Sequence, residues 1–546
     1  MNAGEIRQAV AQLLVVRASG HATDKQRRYP RWELSNNELE QLLGAGVGGV
    51  ILLGGTATEL QQRCRTLQRW AGQPILLCAD VEEGVGQRFE GASWLVPPMA
   101  LGRLHRRAPQ QAVQLAENYG RCCGNQAKRC GLNWVLAPVC DVNSNPDNPV
   151  INVRAWGEDP HTVGELTGAF QRGLAATGVL GCAKHFPGHG DTSTDSHLEL
   201  PLLQHSRERL ESLELQPFRT LIQEGISSVM TAHLLIPAFD KQWPATLSAN
   251  VLTTLLRVDL GFKGLVVTDA LVMEAIAARY GAGEAAVLAF AAGADLILMP
   301  ANAAAAIDAL CAALRSGRVP MARLHDSLER RQAAVQSIPL TLDSGNNDHS
   351  IESAEERSLT LELVTQSLEI SNSSTAKEST QPNPIDGINL IRVDGVLPCP
   401  MLSADAPAIL LPKRLGFQSV LSHPLGISPW TDPADPLAPL ALDRLGQGPL
   451  LLQLFVRGNP FQANRSIREP WTNAIKQLID LNRLFGLVVY GSPYIWEALS
   501  ALLPSSIPAG YSPGQMPDAQ QQLLERLLNP DPSPALSRLG SNEFTD

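Results

Sequence analysis

Residues 264–276 read GLVVTDALVMEAI. Leu265, Val266 and Val267 form an unbroken apolar run that ends in Thr268 and Asp269, and a helical pattern follows from near Ala270. Strands covered on both faces look like this, because neither face has to offer alternate polar residues to water. Seven other segments repeat the theme: LLVVRA (13–18), GGVILLGG (48–55), ILLCAD (75–80), NWVLAPVCDV (133–142), LGCAKHF (180–186), SSVMTAH (227–233) and DLILMP (295–300). Amphipathic stretches such as QAVQLAENYGRCCGNQAKRCG (111–131) and SRERLESLELQPFRTLIQEGI (206–226) lie between them. Eight strands alternating with helices predict an α/β fold of the (β/α)8 TIM-barrel type. The polar residues agree: Asp80, Asp141, Lys184 with His185, His233 and Asp269 each end a strand candidate. In a barrel those ends share one face, and an open doubly wound sheet would not gather them in one place.

At 546 residues the chain exceeds one ordinary domain. The barrel is expected over 1–338. A polar linker carrying one helix, ERSLTLELVTQSLEI, is expected over 339–385, where Ser, Thr, Asn and Glu dominate. A second, smaller α/β domain is expected over 386–546, from NLIRVDG, PAILLP, LLLQLFVRG and GLVVYG with helical patterns between them.

The chain is 44% hydrophobic and 18% charged, with a net charge of -10. That balance suits a large buried core and argues against a nucleic-acid partner, which calls for a concentrated basic surface. No stretch approaches the roughly 20 apolar residues of a membrane helix. The first apolar run is short and broken by Arg17, a poor secretory signal, so a cytoplasmic protein is expected. Nine cysteines, an odd number without a CxxC pair, read as buried free thiols in a reducing compartment. The expected partner is a small-molecule or oligosaccharide substrate; no cofactor is expected.

Lys184–His197, KHFPGHGDTSTDSH, holds three of the 11 histidines. His185 and His189 have HxxxH spacing, but Pro187, Gly188 and Gly190 make this a loop, and no metal is expected. Asp195 and His197 stand one residue apart, so the carboxylate can fix the imidazole tautomer and make His197 an acid or base; two solvated loop residues are the plainer alternative. Asp269 fits a nucleophile on a sugar carbon, or a helix N-cap. Asp80, Arg88, Asn152, Arg154, Lys184 and His185 could together hold a hydroxylated, uncharged ligand, although Asp80 and Arg88 also suit an internal ion pair.

Four blocks, ADVEEGVGQRF, APVCDVNSNPDNPVINVRAWGEDP, KHFPGHGDTSTDSH and VVTDALVMEAI, resemble the glycoside hydrolase family 3 β-N-acetylhexosaminidases. The resemblance spans most of residues 10–335. It implies a retaining exo-β-N-acetylglucosaminidase working by double displacement, for instance on peptidoglycan fragments. Asp269 matches the nucleophile, His197 the acid/base and Asp195 its dyad partner. Asp80, Arg88, Arg154, Lys184 and His185 match positions that bind the sugar and its N-acetyl group. The chain departs from the family at Val81–Gln87, and Ala155-Trp156 replaces the usual Ser-Phe. Alternatives are a family 3 glycosidase of other specificity such as a β-glucosidase, a phosphorylase, and a sugar-binding sensor on a decayed barrel.

Overall fold

The computed structural model describes residues 1–192, 200–339, 350–371, 386–395, 399–435, 437–457 and 469–528. The chain divides into two compact units, one built on Met1–Ser367 and one that begins at Leu368.

The first unit is α/β with parallel strands. One sheet contains β1 (Leu14–Ser19), β2 (Gly49–Leu53), β3 (Leu76–Ala79), β4 (Trp134–Val135) and β8 (Ile297–Leu298), in the order β4-β3-β2-β1-β8, curled as a half-barrel. A second holds β5 (Cys182–Phe186), β6 (Ser228–Thr231) and β7 (Leu265–Val267) in sequence order. Isolated parallel bridges pair Trp134 with Leu180 and Val267 with Leu296, one at each margin between these sheets. The eight strands are the eight apolar runs of the sequence, mostly trimmed by a residue or more. The fourth shrinks most, to two residues, because Pro138 cannot donate a ladder hydrogen bond.

Helices fill the intervals where the local chemistry starts them. Ser35 and Thr56 each cap a helix reciprocally with the glutamate three residues on, Glu38 and Glu59. Asp159 caps Pro160–Ala175, and Pro109 opens the 21-residue helix Pro109–Arg129. The helix expected right after Asp269 begins only at Glu274. The chain first spends Ala270–Met273 on a turn in which the Met273 amide donates to the Ala270 carbonyl. Asp269 is therefore no helix cap.

Val15, Val50, Leu76, Val135, Cys182, Val229, Val266 and Leu296 carry the interior, all buried. Each large aliphatic side chain there stabilises the fold by about 1.5–3 kcal/mol. The Trp134 indole N–H donates to Ser228 Oγ (2.9 Å), which donates to the Gly181 carbonyl (2.7 Å), so the polar edge of this core is satisfied. The helix Ala354–Ser367 belongs to this unit too. Its buried Glu356 accepts from Gln126 Nε2 (3.0 Å) and pairs with Arg129.

The second unit is a six-stranded sheet of β9 (Glu369–Ser371), β10 (Ile388–Val393), β11 (Gln418–Ser422), β12 (Leu450–Val456), β13 (Leu484–Gly491) and β14 (Ala509–Ser512), ordered β11-β10-β12-β13-β14-β9. Only β9 runs antiparallel to its neighbour. PAILLP, expected as a strand, is instead part of the helix Pro407–Arg414. A six-residue apolar run has no periodicity to separate the two states, and Pro407 is preset for a first helical turn.

Candidate active site

Asp80 lies one residue beyond β3, and Lys184 and His185 lie within β5. Lys184 is buried, with its ammonium between two carboxylates: 2.7 Å from Asp80 Oδ1 and 2.6 Å from Glu82 Oε1. Glu82 also takes a two-pronged contact from Arg154, Nε to Oε2 at 2.8 Å and Nη2 to Oε1 at 2.9 Å. Arg154 Nη1 donates to the Val150 carbonyl (2.9 Å), and Arg88 Nε donates to the Asp80 carbonyl (3.3 Å). Burial alone would push both carboxyls up. Lys184 and Arg88 nonetheless hold Asp80 below its ordinary value, and Arg154 with Lys184 holds Glu82 well below. Burial works against the Lys184 and Arg154 cations, but Asp80 and Glu82 keep Lys184, and Glu82 keeps Arg154, above their usual values. The network is fully charged, and Asp80, with 38% of its side chain exposed, is the member that reaches outward.

A second carboxylate organises the histidines. Asp141, fully buried, accepts from the His185 amide (3.2 Å), from His185 Nδ1 (2.7 Å) and from the His189 amide (2.7 Å). A carboxylate can only accept, so His185 carries a proton on Nδ1 and leaves Nε2 turned away from Asp141. Burial would lift the Asp141 carboxyl, yet His185 and His189 hold it below its ordinary value. His189 is buried beside Thr192, its Nδ1 2.7 Å from the hydroxyl, and burial lowers its pKa to about 4. It is therefore a neutral structural residue. The turn needs glycine at 190, where a Cβ would stand 1.7 Å from the Val142 carbonyl oxygen.

Asp269 sits just past β7, half-buried. Its carboxylate accepts the Ala270 amide (2.7 Å), and its own amide donates to Thr231 Oγ1 (3.3 Å). Thr231 is 2.8 Å from Thr246, whose hydroxyl is 2.8 Å from His233 Nδ1, and His233 Nε2 donates to the Ala270 carbonyl (3.1 Å). This polar loop of contacts fixes the backbone on both sides of the carboxylate. The buried Cys182 thiol links Asp269 to the rest. Burial pushes it up to about 12, the Ser228 hydrogen bond and Lys184 oppose that, and Asp80 and Asp269 add to it. Lys184, Asp80 and Asp269 thus all lie within electrostatic range of this one thiol on β5.

Of the residues singled out from sequence, Asp80, Arg88, Arg154 and Lys184 form one network with Glu82, His185 stands next to Lys184 on β5 and is held by Asp141, and Asp269 follows β7 with contacts of its own to Thr231 and Ala270. Asn152, buried with φ 41°, shapes the Asn152–Arg154 turn that presents Arg154. Asp195 and His197 lie outside the described residues. Asp191, shortly before them, is held by His205 (2.8 Å) and Arg209 (3.1 Å). Sequence reading missed Glu82, the hub of the network. Its signal was available, since two adjacent acids, Glu82 and Glu83, stand in an otherwise apolar and glycine-rich segment. Among the described residues no cluster of three His, Cys, Asp or Glu side chains suits a metal ion, and no helix is long and apolar enough to cross a membrane.

Residues 5–334 match the glycosyl hydrolase family 3 N-terminal domain, and residues 380–529 match the bacterial glycosyl hydrolase family 3 C-terminal domain. The fold is similar to a glycoside hydrolase family 3 β-N-acetylglucosaminidase from Paenibacillus sp. str. FPU-7, with a TM-score of 0.75 and 30% identity over 94% of this chain and 95% of that one. A β-hexosaminidase from Neisseria meningitidis serogroup C is 35% identical over 49% of this chain and 75% of its own length. β-Hexosaminidase A of Pseudoalteromonas piscicida is 34% identical over 55% of this chain, and the match spans about half of that relative, 53%. With both halves matched in order and the strand-end residues gathered as described, the chain belongs to glycosyl hydrolase family 3.

Proposed function

We propose that the chain is a retaining exo-β-N-acetylglucosaminidase that removes terminal N-acetylglucosamine from glycosides such as peptidoglycan fragments. The observation that carries this reading is the charged network of Asp80, Glu82, Arg154 and Lys184 beside His185, in a parallel α/β unit where Asp269 likewise follows the C-terminal end of a strand. The similarity to the Paenibacillus β-N-acetylglucosaminidase supports the choice of sugar. We further infer that the two parallel sheets close into one (β/α)8 barrel; the Trp134–Leu180 and Val267–Leu296 bridges support closure. A cytoplasmic location suits the nine free cysteines, eight of them buried.

In this reading Asp80, Arg88, Arg154, Lys184 and His185 grip the terminal sugar. An Asp269 carboxylate oxygen bonds to the anomeric carbon while the bond from that carbon to the aglycone oxygen breaks. His197, oriented by Asp195, gives its proton to the departing oxygen. Water then attacks the same carbon, His197 takes back a proton, and the Asp269 ester is released, so two inversions retain configuration. The deciding experiment is turnover of p-nitrophenyl N-acetyl-β-glucosaminide against the matching glucoside, with and without phosphate, and with the first product's anomer read by NMR. Faster N-acetylglucosaminide turnover giving the β-anomer is expected. Faster glucoside turnover would make it a family 3 enzyme of other specificity, a sugar phosphate product a phosphorylase, and tight sugar binding without turnover a sensor.

A further inference from the structure

Arg17 occupies β1 where every neighbour in the strand is buried. Its side chain is 14% exposed, and its guanidinium carbon stands 5.2 Å from the Tyr29 ring centre and 5.9 Å from that of Trp32. The nearest carboxylate, Glu33, is 3.9 Å away, beyond hydrogen-bond reach. Among the described residues the guanidinium's side-chain contact to a carboxylate is this long one to Glu33, whose fully buried Oε1 has no hydrogen-bond donor. A guanidinium carries five donors, and the exposed part of this side chain leaves donors open to an incoming acceptor. Burial lowers the Arg17 pKa, with Glu33 and Asp80 opposing and Arg88 adding. Arg17 thus lies within electrostatic reach of Asp80 and Arg88, on the side of the sheet that holds the sugar-binding network. It pairs in register with Ile51, which pairs with Cys78, two residues before Asp80.

We propose that Arg17 is a further substrate-binding residue, donating to a hydroxyl oxygen of the terminal sugar whose proton goes to the Asp80 carboxylate. Glu33, Tyr29 and Trp32 hold the guanidinium in place for that contact. A hydroxyl suits both neighbours, because it accepts from a cation and donates to an anion at once. A substrate carboxylate in the same place would be repelled by Asp80 and Glu33. The inference rests on the glycosidase reading above and adds to it a residue that sets which hydroxyl is required.

The test uses the full-length protein with p-nitrophenyl N-acetyl-β-glucosaminide and its 3-, 4- and 6-deoxy analogues. Arg17→Met and Arg17→Lys are compared with the parent, each after its melting temperature is recorded. For Arg17→Met the expected result is a KM raised roughly 10–100-fold with kcat little changed, the size of one hydrogen bond to a charged group. One deoxy analogue should lose a larger factor with the parent protein, which forfeits both contacts, than with Arg17→Met, where only the Asp80 contact to that hydroxyl is left to lose. Arg17→Lys should recover part of the loss on the full substrate and none on that analogue. Losses that multiply for all three analogues, or unchanged kinetics in Arg17→Met, overturn the inference while leaving the glycosidase reading intact. A parent protein inert on the full substrate overturns that reading. In that case, melting-temperature shifts with free N-acetylglucosamine and glucose decide Arg17's part: a shift lost in Arg17→Met supports it, and an equal shift or none refutes it.

Discussion

Replacing Glu82 with glutamine tests the charged network at its hub. The substitution keeps the side-chain shape and removes one negative charge from between Lys184 and Arg154. Lys184, with 2% of its side chain exposed, then has Asp80 alone, and Arg154 loses a paired contact at 2.8–2.9 Å. Removing one partner of a buried pair strands the other and costs about 3–5 kcal/mol. Spread over the unit Met1–Ser367, at about 2 cal/mol/K per residue, ~4 kcal/mol lowers the melting temperature by about 5 °C. Turnover should fall further than stability implies, because Lys184 would be drawn off Glu82 and toward Asp80, the residue offered to substrate. The assay is a double-mutant cycle of Glu82→Gln, Arg154→Met and both together, read by urea unfolding and by kcat/KM on the aryl glycoside. The double variant should be more stable than the two single losses added, by at least ~1.5 kcal/mol, since it leaves no stranded charge between them. Additivity within ~0.5 kcal/mol would show that Glu82 and Arg154 are not coupled and would refute the account.

Asp269→Ala should reduce turnover by at least ~10³-fold, with sugar binding within a few-fold of the parent, as expected for a lost nucleophile; a kcat within tenfold of the parent would remove Asp269 from the chemistry. His233→Leu should lower kcat by roughly 10-fold or more, and His233→Gln, which can still donate to the Ala270 carbonyl, should recover part of it; equal losses would make the site one of packing alone. His189 adds a pH term. Its pKa near 4 in the folded protein lies below the ordinary 6.5, so the unfolded chain binds its proton first and stability falls as pH drops from 6.5 toward 4. The full term is about 3 kcal/mol. Urea unfolding at pH 7 and pH 5 should show this slope in the parent and a shallower one in His189→Gln; identical slopes would refute it. The lowered carboxyls of Asp80, Glu82 and Asp141 add losses of the same sign at more acidic pH.

What could be read from sequence follows from what is local. The apolar runs announced every strand of the first unit, because coverage on both faces leaves no room for polar alternation. Strand ends were less legible: Pro138 cut β4 short, and the turn after Asp269 postponed a helix that pattern alone started at once. The strand-end residues Asp80, Lys184, His185 and Asp269 were legible because a buried strand tolerates a charge only where it emerges. Glu82 was not singled out, and Asp141 was placed at a strand end without a role, since what they do arises from partners 72 and 44 residues away in the chain. Arg17 was visible as a break in an apolar run, but its meaning depends on Tyr29, Trp32 and Glu33 folding back over the strand. The PAILLP segment misled for the opposite reason: its short apolar string carries no information that distinguishes helix from strand.

The cysteines have a use that is independent of chemistry at the site. Cys78 on β3 and Cys182 on β5 lie at full burial in the first unit, and Cys399 in the second unit is the one thiol partly accessible to solvent. A thiol-reactive probe would therefore mark Cys399 from the native state and the inner pair only when the first unit opens. Labelling kinetics at the inner pair amount to a built-in clock for the opening of the first unit, with Cys399 as the native-state reference and no engineered label needed.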